Sequence, residues 1–185
     1  PPVHLNGQLP DYVPAAAEFL LGDVRDRTAL NNALVGMDAV IHLAAYQDYL
    51  PDFAKFFHVN TVGTALLYEL IVEHHHPIRK VVVASSQAVY GEGKYFCPQH
   101  QVQYPGPRAE AQLRAGRWEL TCPVCEGPLE LQRSDETHVN PHNQYAISKY
   151  TQEMIALNLG RRYQIPSVAL RFSITQGPRQ SFRNA

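Results

Sequence analysis

Residues 79–86 read RKVVVASS, three consecutive valines closed by an alanine and two serines. An unbroken apolar run of this length, entered from charge and left through small polar side chains, predicts a strand buried on both faces. Upstream, DAVIHLAA (38–45) is a second such run, and AEFLLGDVRD (17–26) holds a third that ends at Gly22-Asp23. TALNNALVGM (28–37) has the spacing of a short helix, and DFAKFFHVNTVGTALLYELIVEHHH (52–76) that of a long amphipathic one closed by Pro77. Downstream, QYAISKYTQEMIALNLGRRY (144–163) predicts another helix and PSVALRFSI (166–174) a fourth strand. Strands that alternate with helices imply an α/β fold, a parallel sheet covered on both faces. Ligands of such sheets bind beyond the carboxyl ends of the strands, where Asp23, Ala44-Ala45 and Ser85-Ser86 fall.

The 185 residues have the length of one domain. Sixteen Lys and Arg face seventeen Asp and Glu, so charge gives no reason to expect nucleic acid or anionic lipid as a partner. No apolar run is long enough to span a bilayer and PPVHLNGQLP (1–10) is not a signal peptide, so the expected location is the cytoplasm. The first eighteen residues are proline-rich and predict a loop. Residues from about Gly93 to Arg133 show little periodicity and carry all three cysteines. No Gly-rich phosphate loop, internal repeat or low-complexity tract occurs.

Those cysteines have a pattern. Cys97-Pro-Gln-His100 and Cys122-Pro-Val-Cys125 are two short knuckles, each able to place two ligands on one ion. Four N/S donors close a tetrahedron and leave no open position, which predicts a structural zinc. Three free cysteines in a loop is the plainer alternative. His74-His75-His76 cannot chelate together on a helix and read as cations favoured at its C-terminus. His138 and His142 read as solvated loop residues. In the helix of residues 144–163, Tyr145 and Lys149 are four apart and share a face. On spacing alone they are an ordinary helix tyrosine and a solvated lysine; the remaining motifs favour a catalytic couple.

Taken in order, FLLGDVRD, VIHLAA, HVNTVGT, VVVASSQAVYG and YAISK resemble the extended short-chain dehydrogenases, the NAD-dependent epimerase/dehydratase family, over nearly the whole chain. The resemblance implies a doubly wound, Rossmann-type sheet with strand order 3-2-1-4-5-6. It also implies that the chain is an internal part of a longer protein, lacking the first two strands and a C-terminal substrate portion. Residues 94–133 become a zinc-ribbon-like insert, similar to one in a subgroup of nucleotide-sugar 4-epimerases that handle a deoxysugar. By the same resemblance Tyr145 is the base, Lys149 lowers its pKa from the usual value of about 10 and bonds the nicotinamide ribose, and Ser86 shares the substrate hydroxyl. NAD contacts fall to Asp23 and Val24 at the adenine, to Leu43, Ala44, Ala45 and Ser85 along the strand ends, and to Tyr145 and Lys149, with Asn60 steadying those ends. Asp23 could equally cap a turn before Arg25. The implied partners are a nucleotide-sugar substrate and a second copy of the chain.

Dehydratases of this family carry Asp-Glu directly after the catalytic hydroxyl residue, and this chain has Gln87 and Ala88. Without that acid a leaving hydroxyl has no proton donor, so epimerisation at C4 through a transient 4-keto sugar is the expected reaction. A 4,6-dehydratase, a reductase, or a non-catalytic NAD or zinc interaction module are the alternatives. Ser173 and Ile174 stand where the family often has Phe-Asn, which implies a difference in substrate handling.

Overall fold

The computed structural model describes residues 12–177, so the loop reading of residues 1–11 and the chain end after Gly177 lie outside it. Three strands, β1 (Ala39–His42), β2 (Lys80–Ser86) and β6 (Ser167–Phe172), form a parallel sheet in the order β1-β2-β6. His42 is level with Val83, and Ser86 with Phe172, so the strands finish along one rim. These are the strands expected from VIHLAA, VVVASS and PSVALRF.

Helices α1 (Arg27–Leu34), α3 (Gly63–Glu73) and α5 (Gln144–Arg162) pack beside one another, with α5 also lying along β2 and β6. Their shared core contains Leu67, Leu70, Ile71, Val81, Val83 and Ala156. Asp26 caps α1 by accepting from the backbone N–H groups of Thr28 and Ala29. The long helix of residues 52–76 is interrupted: α2 (Phe53–Phe56) passes into a π-helical turn (Phe57–Val62) before α3. No helix is long and apolar enough to cross a membrane among the described residues.

Two expectations change. AEFLLG was expected as a buried strand, but it runs without a ladder partner, and Phe19, Leu20 and Leu21 are exposed. In the doubly wound order two strands would stand between it and β1, and none is present among the described residues, so its N–H and C=O groups have no strand to pair with. Secondly, only one face of the sheet carries helices among the described residues. The other presents Ile41, Val168 and Leu170, which are 71, 37 and 41% exposed.

The stretch expected to be irregular contains a second sheet. Strands β3 (Lys94–Cys97), β4 (Gln101–Gln103) and β5 (Glu130–Gln132) pair antiparallel in the order β4-β3-β5, with a short helix α4 (Glu110–Arg114) between β4 and β5. Strands of three or four residues are too short to show a period of two convincingly. This small sheet joins the larger body beside the rim: Asn140 N–H donates to Val89 O (2.8 Å), and Arg108 pairs with Glu92 (3.1 Å). Gly91 makes that closure possible. Its φ is +65°, and a Cβ there would collide with Asn140 O and His142.

Candidate active site

The rim opens into a cavity of about 920 Å³. β1 contributes Leu43 and Ala45 from just beyond its end, β2 contributes Ser85 and Ser86, and α5 contributes Tyr145 and Lys149. Gln87, Phe172 and Ser173 complete the wall nearest β6. Six of the expected site residues thus line one hollow, although more than a hundred positions separate Leu43 from Lys149 in the chain.

Asn143 starts α5 by accepting from Ala146 N–H at 2.8 Å, which sets Tyr145 in the first turn and Lys149 one turn later. Tyr145 is half-buried and Lys149 is 1% exposed. Burial brings the lysine's pKa down from 10.5 to about 8, with the neighbouring Glu153 carboxylate opposing the fall. Its Nζ donates to Gln152 Oε1. Ser86 ends β2, and its Oγ accepts from Ala88 N–H at 3.1 Å, opening the single turn Gln87–Tyr90. Ser173 Oγ donates to Gln87 Oε1 at 2.8 Å.

Behind this wall the polar side chains are satisfied pairwise. Asn60, fully buried in the π-turn, accepts from Tyr46 N–H (2.7 Å) and donates to Tyr46 O (3.0 Å) and Ser148 Oγ (2.9 Å). It therefore fastens the loop after β1 to α5. Glu153 receives both guanidinium arms of Arg171, each at 2.9 Å, and the hydroxyl of Ser85. Arg171, Glu153, Gln152, Thr64 and His42 were not among the residues singled out from sequence. Glu153 lies four positions after Lys149, on the same helix face, and that spacing was the one available signal.

Other expected residues are placed differently. Asp23 does not line the cavity; its carboxylate takes the Arg25 side chain at 2.9 and 2.6 Å and Arg25 N–H at 2.9 Å, and this hydrogen bonding holds its carboxyl at about 2. Val24 lies over Gly63 so closely that a Cβ there would sit 3.0 Å from its Cγ2. Ala44 follows β1 without lining the cavity. His138 was expected in solvent and instead stacks on Tyr104 with ring centres 3.4 Å apart, its Nε2 buried. His142 is exposed, and His76 bonds Asn31 Oδ1 at 2.8 Å.

At the edge of the small sheet Cys97, His100, Cys122 and Cys125 bring their ligand atoms within 4.8 Å of one another. Cys97 Sγ is 3.7 Å from His100 Nδ1 and 3.8 Å from Cys125 Sγ, and Cys122 Sγ is 3.6 Å from His100 Nδ1. Metal–sulfur bonds of about 2.3 Å in a tetrahedron give edges of about 3.8 Å. The cluster has the size of a tetrahedral N/S site.

A sequence profile of the NAD dependent epimerase/dehydratase family matches residues 3–110 and 121–185. A dTDP-L-rhamnose 4-epimerase of Burkholderia thailandensis is 32% identical over 191 residues, which cover all of this chain and 51% of that protein. Among solved structures, a UDP-glucose 4-epimerase of Thermus thermophilus in complex with NAD is similar at a TM-score of 0.62 and 26% identity, over 96% of this chain and 48% of the other. A short-chain dehydrogenase/reductase superfamily protein of Agrobacterium tumefaciens with bound NAD gives 0.58 and 26%, over 88% and 39%. The chain thus spans about half the length of these relatives.

Proposed function

The chain belongs to the NAD dependent epimerase/dehydratase family, and from that membership we propose that the whole protein inverts C4 of a nucleotide-activated sugar. The observation that carries the reading is the cavity wall itself: a phenol, a buried lysine and a serine hydroxyl, with no carboxylic acid after the serine. Gln87, held by Ser173, and Ala88 occupy the positions where dehydration needs its proton donor. The relatives named above include two 4-epimerases, which supports the same reading.

The residues fit NAD at the nicotinamide end. Ala45 and Ser85 are small enough for close approach at the strand ends, and a buried lysine there offers donors to a ribose. At the adenine end, Asp23 Oδ1 accepts twice from Arg25 and Oδ2 once, which leaves Oδ2 one lone pair for an amine donor. NAD, when bound, accepts a hydride from the sugar and returns it. Tyr145 takes the C4 hydroxyl proton and later gives it back, leaving a 4-keto sugar free to present its opposite face between the two events. Lys149 favours the phenolate form in which Tyr145 can accept that proton, and Ser86 bonds the sugar oxygen. Asn60 keeps the loop after β1 in register with α5.

Residues 94–133 form a zinc-ribbon-like insert in this reading, with zinc on Cys97, His100, Cys122 and Cys125, supported by the tetrahedral dimensions of the cluster. Ile147, Met154 and Leu157, each about two-fifths exposed, make an apolar stripe on α5 that suits pairing of two copies. Assay of the whole protein against nucleotide deoxysugars tests the reaction: a C4 epimer is expected with no loss of water, and Tyr145→Phe is expected to lower turnover by at least about a thousandfold while NAD stays bound. Near-normal turnover in that variant removes Tyr145 from the chemistry.

A further inference from the structure

The amide beside Lys149 has only one permitted orientation, and the hydrogen-bond inventory fixes it. Gln152, fully buried, donates from Nε2 to Thr64 Oγ1 at 2.8 Å, and its Oε1 accepts from Lys149 Nζ. Thr64 Oγ1 lies 2.7 Å from Asn60 O and 3.0 Å from His42 Nε2. A hydroxyl has one proton and two lone pairs. Asn60 O, a carbonyl, can only accept, so it takes the proton. The other two neighbours of Thr64 must then donate: His42 carries its proton on Nε2, and Gln152 turns its NH2 toward the threonine. A flipped amide would set oxygen against oxygen with no proton between them, and NH2 against an ammonium.

We infer that Gln152 is a positioning residue for Lys149, its carbonyl locked by Thr64 and Asn60 so that the ammonium is kept charged at the cavity wall beside Tyr145. The inference rests on reading Tyr145 and Lys149 as the proton-handling couple. It extends that couple to a residue whose side chain never reaches the cavity wall. The charged and titratable groups around Lys149 are His42 from β1, Tyr145 and Glu153 from its own helix, and Arg171 from β6, whose charge is spent on Glu153. Neutral Thr64 on α3, donating to Asn60 O in the π-turn, holds Gln152, and Ser85 from β2 donates to Glu153. Glu153 already being claimed by Arg171 and Ser85, the Gln152 carbonyl is the acceptor that remains for the ammonium.

The test is direct titration of Lys149 in the whole protein, labelled with ¹³C at the lysine ε carbons and assigned by Lys149→Met; this chain contributes only four lysines. Gln152→Leu removes the acceptor, so the midpoint of Lys149 should fall by about one pH unit. Thr64→Val, which unlocks the amide with little change of shape, should move it in the same direction, and Thr64→Ser should hold the wild-type midpoint. A midpoint unmoved in either Gln152→Leu or Thr64→Val overturns the inference. The alkaline limb of the kcat profile should shift with the titration. Absence of turnover in every form, wild type included, would defeat the epimerase reading and leave the titration result standing.

Discussion

Lys149 is expensive to keep. Its pKa of about 8, against 10.5 in the unfolded chain, withholds about 3 kcal/mol from the folded state at neutral pH. Below pH 8 the lysine is charged in both states and the cost is complete; between 8 and 10.5 the folded state sheds its proton first and the cost fades. Lys149→Met should therefore raise stability at pH 7 by about 1–2 kcal/mol, after allowing for the orphaned Gln152 carbonyl, and by less at pH 10. Urea unfolding at the two pH values checks this, and a destabilised variant at pH 7 would contradict it. That Tyr145, Lys149 and Ser86 would meet at one cavity was legible in the sequence, because motifs carry them. Gln152 and Thr64 were not, because they meet across 88 positions and no local pattern announces that pairing.

Among the elements, β2 and α5 were read correctly from periodicity, whereas the π-turn was invisible to it. Phe57–Val62 continues the helix that flanks it, and only the hydrogen-bond register distinguishes a π-turn from an α-helix there. The wider turn brings Asn60 to both Tyr46 and Ser148. Asn60→Asp keeps the acceptor for Tyr46 N–H, removes both donors and adds a buried charge, so a loss of about 3 kcal/mol in thermal or urea unfolding is expected. The strands of the cysteine segment were missed for a different reason: at three or four residues each they are too short to show a period of two. Purified protein should carry about one equivalent of zinc, and Cys122→Ser or chelation should open residues 93–133 to protease while the parallel sheet stays resistant. Uniform resistance without metal would show that the small sheet holds itself together.

For the molecule as a whole, the uncovered face and the unpaired edge of β1 are the dominant liabilities. Ile41 is 71% exposed on β1, which is an edge strand among the described residues, and Leu21 in the unpaired segment before α1 is 87% exposed. Produced alone, the 185-residue chain should bind a hydrophobic dye and self-associate at micromolar concentration, and Ile41→Lys should reduce both. In the whole protein the same substitution should instead lower the melting temperature if that face is covered there. Equal behaviour in the two settings would refute the covering. Apolar runs marked the strands because they record burial in the finished fold, and the family's strand order implied that Phe19–Leu21 would lack a neighbour among these residues, as they do.

At its seam the small sheet's segment closes on itself, Asn140 N–H donating to Val89 O at 2.8 Å. A detour that leaves and re-enters the body at adjacent points imposes no new length on anything it bypasses. Shortening, exchanging or enlarging the cysteine-bearing appendix between Gly91 and Asn140 would thus leave the strand registers and α5 untouched. Evolution, or an engineer, can retailor the mouth of the hollow there while its catalytic floor stays in place.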